Sequence, residues 1–269
     1  MPGMARFTAS CLVAAVLFAP SLADAAPRWV DRPITLPRLV FAGDVGLGIG
    51  HARVPGPAAD VTGPGLNLEG AIGITDRVEL GLRSGMRFGS DAEALAADAY
   101  GRTLWTETWG VGRDAFANPE ARVRWAAVRG PIFELALDGR LYLPFEDGTR
   151  AGVMFGVPMA IHLGDIARID TGAYVPVVFY GEPFTAITVP GYFWFQPSER
   201  LWLGPMTSLR FVDPGPGGRE TELLVGFGLG YQVASAVDLK TMVLFPRVNR
   251  DQGASDFGVG FGVQFRIGD

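Results

Sequence analysis

The sequence is poor in cysteine, histidine and lysine. Its 269 residues include one cysteine and two histidines, and Lys240 is the only lysine. Cys11 lies near the N-terminus, so the rest of the chain has neither disulfide nor thiolate chemistry. His51 and His162 are far apart, and neither an HExxH motif nor a GxSxG nucleophile elbow is present. We therefore expect no metal, no cofactor and no catalytic residue.

Long apolar runs are also missing. No stretch beyond the N-terminal region approaches the ~20 uninterrupted apolar residues that a spanning helix needs. Arg6, the apolar run CLVAAVLFA and the small-x-small sequence Ala23-Asp24-Ala25 predict a cleaved signal peptide over residues 1–25. Residues 26–269 then form a single domain. The net charge of −5 gives no indication of a nucleic-acid partner.

What the sequence does contain is alternation with a period of two. In GITDRVELGLRSGMRF (73–88), Val78, Leu80 and Leu82 share one face of an extended chain, while Glu79 and Arg83 share the other. Most such segments run 11 to 16 residues, longer than the ~5–6 of ordinary strands and long enough for tilted membrane strands of ~9–11. About twelve occur, near residues 38–53, 64–75, 77–89, 118–128, 131–144, 151–163, 166–180, 184–196, 199–212, 219–233, 236–248 and 255–267.

The links between these segments alternate in length. Short links lie at one end of the predicted sheet, and longer links, including 54–63 and 90–117, lie at the other end. An even number of strands with both termini on one side predicts an all-β, antiparallel, up-and-down transmembrane β-barrel of about 12 strands, whose short turns are periplasmic and whose long loops are extracellular. The short links lie around residues 75–77, 128–130, 164–166, 197–199 and 234–236.

A soluble β-sandwich with a phenylalanine-rich core is the alternative fold. It would gather Leu80, Phe155 and Phe261 in a central cluster and leave Arg83 and Arg124 on the exterior. Aromatic residues near the strand ends of the apolar face, such as Phe41, Trp125, Phe193 and Tyr231, favour the barrel because they match the aromatic girdles of membrane interfaces.

Three stretches carry a family resemblance. GITDRVELGL, the hairpin ARVRWAAVRGPIFELALDGRLYLPF and the glycine-alternating last strand resemble Gram-negative outer-membrane β-barrel proteins, especially the porin-like transporter superfamily. The resemblance implies a place in the outer membrane, contact with its lipid, and insertion by the barrel assembly machinery. That machinery recognises a C-terminal strand signal, which Gly262-x-x-Phe265-x-Ile267 resembles.

The charged residues of the polar face would line the lumen of such a barrel. Two arrangements are open for them: an anion track made by the arginines, or a ladder of paired charges, which the acidic neighbours favour. The inward positions carry eight basic and nine acidic residues, so we expect weak ion selectivity. The predicted ladder consists of Glu69, Glu79, Arg83, Arg87, Arg122, Arg124, Glu134, Asp138 and Arg140.

Five inward aromatic residues face a wall of glycines on the first, tenth and twelfth predicted strands. The rings and the bare wall would either form a slot for a flat or partly apolar solute, such as a sugar or nucleoside, or pack together and plug the barrel. The five residues are Tyr142, Tyr174, Tyr192, Trp194 and Trp202.

The link 90–117 is long enough to have structure of its own. Ser90-Asp91-Ala92-Glu93 has the pattern of a capping box in front of the alanine-rich LAADA, which predicts a short helix. The loop would either fold into the mouth and narrow it, which we favour, or extend away from the membrane.

The function expected from these patterns is a passive channel for small hydrophilic solutes. A closed, salt-linked barrel with a structural or surface-presenting role is the main alternative. An outer-membrane hydrolase is less favoured because no serine is placed beside His51, the histidine of the lipid-facing side. The solute and the oligomeric state are left open.

Overall fold

Extended segments of the chain pair edge to edge until the sheet closes on itself. The computed structural model describes residues 27–54, 59–87, 96–97, 103–104, 116–143, 151–179, 184–213, 220–249 and 257–268. The barrel strands are β1 (Phe41–Val54), β2 (Ala59–Thr75), β3 (Val78–Arg87), β6 (Phe116–Arg129), β7 (Phe133–Tyr142), β8 (Gly152–Leu163), β9 (Ala167–Val178), β10 (Phe184–Phe195), β11 (Leu201–Asp213), β12 (Glu220–Ala234), β13 (Val237–Phe245) and β14 (Phe257–Ile267). Two further strands of two residues each, β4 (Ala96–Ala97) and β5 (Thr103–Leu104), form a separate sheet.

Pairing between the first and last strands closes the barrel. Every barrel strand is antiparallel to the next, and β14 returns to β1, with Phe41 opposite Ile267 and His51 opposite Phe257. The prediction of a single antiparallel barrel of about twelve strands is confirmed, and within the described strands the barrel sheet has no free edge. Both β1 and β14 reach the end of the barrel that holds the short turns, which we call the short-turn end.

The two faces of the sheet differ as a membrane barrel requires. Phe155 and Phe261 are each 64% exposed on the outer face, and Leu82 is 68% exposed. The side chain of Arg124, by contrast, is 1% exposed on the inner face. Because the apolar rows face outward and the ionised residues inward, the β-sandwich alternative is wrong.

Two details of the predicted links differ from the structure. β2 begins at Ala59, opposite Val54, so the ladder with β1 takes up much of the predicted link 54–63. Ala96 and Ala97, predicted as helical, instead pair with Leu104 and Thr103. Cross-strand pairing there outweighs the helix propensity of alanine. The rest of loop 90–117 before residue 116, including Ser90-Asp91-Ala92-Glu93, and the predicted signal peptide lie outside the described residues.

Residues 27–40 precede the first strand and are not part of the wall. After one turn of 3-10 helix, Trp29–Asp31, the chain runs inside the barrel and reaches β1 through a tight turn, in which Val40 N donates to Pro37 O (3.1 Å). Leu39 has a φ of +62° in this turn. Within the described ranges, no helix is long and apolar enough to cross a membrane.

Candidate functional site

The inner face of β2, β3, β6 and β7 carries most of the predicted ladder, and we call it the charged half of the lumen. Arg122 binds two carboxylates, since its Nη1 lies 2.8 Å from Glu69 Oε1 and its Nη2 lies 2.8 Å from Glu79 Oε1. The backbone of Glu69 lies opposite Arg83. Arg87 is the last residue of β3.

A second group in the charged half is built around Asp138. Arg124 Nη2 lies 2.7 Å from Asp138 Oδ2, and Arg140 Nε lies 2.9 Å from Asp138 Oδ1. Arg140 Nη1 also donates to Glu120 Oε1 over 2.9 Å. Glu120 was absent from the predicted ladder, although it shares its face of β6 with Arg122 and its parity could have identified it. In both groups the guanidinium groups bind carboxylates.

The inner face of β10 to β13 is different, and we call it the apolar half of the lumen. Its larger side chains pack over glycines: the ring of Trp202 covers Gly230, and the ring of Trp194 covers Gly228. A Cβ at Gly230 would lie 2.1 Å from Trp202, and one at Gly228 would lie 2.9 Å from Trp194. These glycines therefore allow the rings to approach the backbone. Its buried polar residues are fewer and include the Arg210–Glu222 ion pair, Asp238 and Lys240. The buried apolar residues of its wall are Tyr192, Trp194, Trp202, Met206, Leu224, Met242 and Leu244.

Tyr142 and Tyr174 lie between the two halves. They form a small cluster with Met154, and the Tyr142 hydroxyl donates to Met154 Sδ over 3.5 Å. A Cβ at Gly156 would lie 2.4 Å from the Tyr174 ring, so this ring also covers a glycine. At Gly156, Gly228 and Gly230, the aromatic rings themselves occupy the space over the glycine backbone.

Residues 27–40, which we call the lumen segment, lie between the two halves. Pro27, Pro33 and Pro37 lack the N–H that a strand ladder needs. Buried backbone donors must nevertheless be paired, and side chains of the wall accept from them. The three donors are Val30 N to Gln196 Oε1 (3.1 Å), Ile34 N to Glu134 Oε2 (2.7 Å) and Leu36 N to Glu79 Oε2 (2.9 Å).

Carbonyl groups of the lumen segment are bound in the same way. Arg124 Nη1 donates to Ile34 O over 3.1 Å, and Arg168 Nη1 donates to Arg32 O. His162 Nδ1 lies 2.7 Å from Val30 O. Glu79, Arg124 and Glu134 of the predicted ladder thus bind this backbone, a role that was not foreseen for them.

Side chains of the lumen segment enter the apolar half. The ring of Trp29 stacks on Trp202, with centroids 4.9 Å apart and planes at 2°, and meets Trp194 edge-on at 5.8 Å. The Arg32 guanidinium lies over Trp29 and Trp202, at 5.2 and 5.7 Å from their centroids, and donates to Asp238. Cation–π contacts of this kind strengthen when they are desolvated.

The lumen segment lies at the short-turn end of the lumen. Residues 27–37 had no predicted role, and residues 38–40 were predicted as the start of the first strand, which begins at Phe41. The lumen segment lacks the period-two pattern that identified the strands. The available signal was apolar residues interspersed with two prolines ahead of β1, in WVDRPITLP. Near its start, Arg28 Nε donates to Asp31 Oδ2 (2.7 Å), and this hydrogen bond raises the pKa of the Arg28 guanidinium. No group of three or more histidine, cysteine or carboxylate residues is placed to bind a metal in the described part of the chain.

A closed barrel of twelve strands with an apolar exterior and a charged, partly filled lumen has the fold of outer-membrane porins, so the predicted resemblance in fold is confirmed. Among solved structures, the KdgM porin is 9% identical with a TM-score of 0.57, covering 84% of this chain and 99% of its own. The NanC porin is 10% identical with a TM-score of 0.59 (84% and 100% covered). An outer membrane channel from Pseudomonas putida F1 is 12% identical with a TM-score of 0.60 (88% and 99% covered).

At these identities the similarity establishes the fold. Comparison of the sequence with protein-family models and with curated proteins gives no match.

Proposed function

We propose that the protein is an outer-membrane channel of narrow bore for small hydrophilic solutes, with its short-turn end facing the periplasm. The observation that carries this proposal is the part of the lumen wall along β1 and β14 where glycines are not held in place by close packing. A Cβ at Gly46 would find its nearest atom 3.7 Å away, and one at Gly262 would find it 3.5 Å away. At Gly228 and Gly230 tryptophan rings take up the corresponding space, whereas a methyl group would fit at Gly46 and Gly262, so these two glycines leave space that packing does not require. The fold shared with porins supports the same proposal.

The proposed role is not enzymatic. The His51 ring stacks on Phe257 on the outer face, with centroids 5.5 Å apart. His162 Nδ1 contacts the Val30 carbonyl, and its Nε2 lies 3.6 Å from Glu134 Oε2. Both histidines therefore have structural contacts that account for their positions, and the porin-like fold adds support.

A closed barrel with a structural or surface-presenting role is the second candidate. The lumen segment favours it, because Trp29, Val30, Ile34 and Leu36 are all less than 5% exposed inside the barrel. Paired charges of the kind formed by Arg122 with Glu69 and Glu79 also reduce the number of ionised groups open to a solute.

Recording from single proteins in a planar bilayer separates the two candidates. The channel proposal predicts discrete conductance steps in symmetric salt, small in amplitude because the lumen segment remains in place. The near balance of inward charge predicts weak selectivity between cations and anions. A bilayer that stays silent after verified insertion of folded protein would favour the closed barrel. Detergent without protein is the control.

Insertion by the barrel assembly machinery is part of the same proposal. β14 presents Phe265 and Ile267 outward, while Gly262 points inward. An exchange of Phe265 for serine should slow assembly into the outer membrane and leave the export of the chain unchanged.

A further inference from the structure

A groove follows the inner wall where β1 and β14 meet. Gly46, Gly260 and Gly262 form its floor, and Met242 and Leu244 of β13 flank it. At the short-turn end of the groove, Lys240 Nζ forms an ion pair with Asp44 Oδ2. The only lysine of the chain therefore lies where the groove meets the filled part of the lumen.

The glycines of this groove differ from those of the apolar half. A Cβ at Gly260 would lie 3.4 Å from Met242 Cγ, and one at Gly262 would lie 3.6 Å from Lys240 Cε, both ordinary contact distances. At Gly230 the corresponding distance to the Trp202 ring is only 2.1 Å. Close packing requires glycine at Gly230, whereas at Gly260 and Gly262 glycine keeps the groove wide.

The lumen segment is too firmly bound to act as a routine gate. Its withdrawal would leave Glu79, Glu134 and Asp238 without donors that they have in the folded chain. Buried ionised groups that lose a partner are strongly destabilising. A path that leaves the segment in place is therefore favoured over one that expels it.

We infer that permeation through the proposed channel follows the groove along β1 and β14, where Met242 sets the width and the Lys240–Asp44 pair sets the charge selectivity. This inference rests on the proposed function. The cavity volume of about 20 Å³ accommodates one or two water molecules. Water fits the groove as it stands, and we expect hydrated ions and other hydrophilic solutes to pass when the unbranched side chain of Met242 turns aside.

Single-channel recording of two matched variants tests the path. Met242→Ala should at least double the unitary conductance, because it widens the groove opposite Gly260. Met206→Ala removes an equally buried lumen methionine, but one that packs beside Trp194 and Gly228 in the apolar half. It should leave the conductance unchanged. Gly260→Val should reduce the conductance to less than half, while Gly139→Val, a site with no neighbouring atom within 4 Å on the outer face, is its control.

The charge at the end of the groove is tested by the reversal potential in a salt gradient. Lys240→Met leaves Asp44 as the charge facing the path, so the potential should shift towards cation selectivity. Equal conductances for Met242→Ala and Met206→Ala in a conducting protein would overturn the groove path and leave the channel proposal intact. Silence of the wild type and of every folded variant would remove both.

Discussion

The two halves of the lumen are filled by opposite chemistry. In the charged half, Arg122 and Arg124 are at most 4% exposed and bind carboxylates from other strands. In the apolar half, Trp194 and Trp202 are each 2% exposed and lie against glycine backbone. Ion pairs that are buried must recover the cost of desolvation through good geometry, whereas stacked rings gain from removal of apolar surface. One half depends on partner groups and the other on close fit.

The lumen segment makes polar contacts with the charged half and aromatic contacts with the apolar half. Its backbone is bound by Glu79, Arg124 and Glu134 of the charged half. Its Trp29 ring stacks in the apolar half. A single short segment that belongs to no strand is held in place because its backbone meets polar partners on one side and its Trp29 ring meets apolar partners on the other. Substitutions can therefore loosen it from either side, with different magnitudes.

The largest effect is expected in the charged half. Arg124→Met leaves Asp138 with fewer donors and the Ile34 carbonyl without one, and breaking a buried pair in this way costs about 3–5 kcal/mol. Urea unfolding of the protein in lipid vesicles measures the loss. Arg38→Met is the control, since Arg38 is exposed at the barrel end. Equal stability of the two variants would contradict the paired ladder.

The apolar half is tested by Trp29→Ala. Loss of the ring removes its stacking on Trp202 and its edge contact with Trp194, and large aromatic truncations of this kind cost about 3 kcal/mol. The same unfolding measurement applies. Trp125→Ala, at an outward position that is 45% exposed, should cost much less in the same vesicles. If Trp125→Ala were the more damaging change, Trp29 would not be part of the interior.

The difference in packing between Gly230 and Gly46 predicts a smaller effect on stability. Gly230→Ala forces its methyl group against the locked Trp202 ring and should destabilise by about 1–3 kcal/mol. Gly46→Ala places its methyl group 3.7 Å from the nearest atom and should be close to neutral. Denaturation midpoints of the pair give the comparison. Similar denaturation midpoints for the two variants would mean that the Trp202 ring does not crowd Gly230.

The smallest effect is expected at the turn into β1. Leu39 has a φ of +62°, a conformation that costs a leucine about 1 kcal/mol and that asparagine tolerates better. Leu39→Asn should therefore raise the stability slightly, by up to about 1 kcal/mol. The neighbouring exposed Arg38→Asn, outside that conformation, should not raise it. A lower thermal midpoint for Leu39→Asn would contradict this account of the turn.

Strand positions and facing were predictable because alternation fixes them. The segment predicted at 184–196 corresponds to β10, Phe184–Phe195, and the one at 151–163 to β8, Gly152–Leu163. A shift of the strand pairing by one residue would move every side chain to the opposite face of the sheet, so the alternating pattern specifies the register strongly. Glu69 and Arg83 lie opposite each other for that reason.

The contacts within the lumen were not predictable to the same degree. Glu69 lies opposite Arg83, yet it binds Arg122 from the next strand but one, because long side chains reach beyond their direct neighbours. The lumen segment has no periodicity from which its position could be derived. Its position depends on side chains from distant parts of the wall, such as Gln196 and Glu134, which come together only when the barrel closes.

Tryptophan quenching tests the central claim most directly, namely that apolar rows face outward while the lumen segment lies inside. One variant keeps Trp29, Trp194 and Trp202 and replaces the other three tryptophans by phenylalanine, and a second keeps only Trp125. Brominated lipid should quench Trp125 strongly, and neither brominated lipid nor aqueous iodide should reach the lumen cluster, whose rings are 2–4% exposed. Strong quenching of the cluster by either agent would contradict the account.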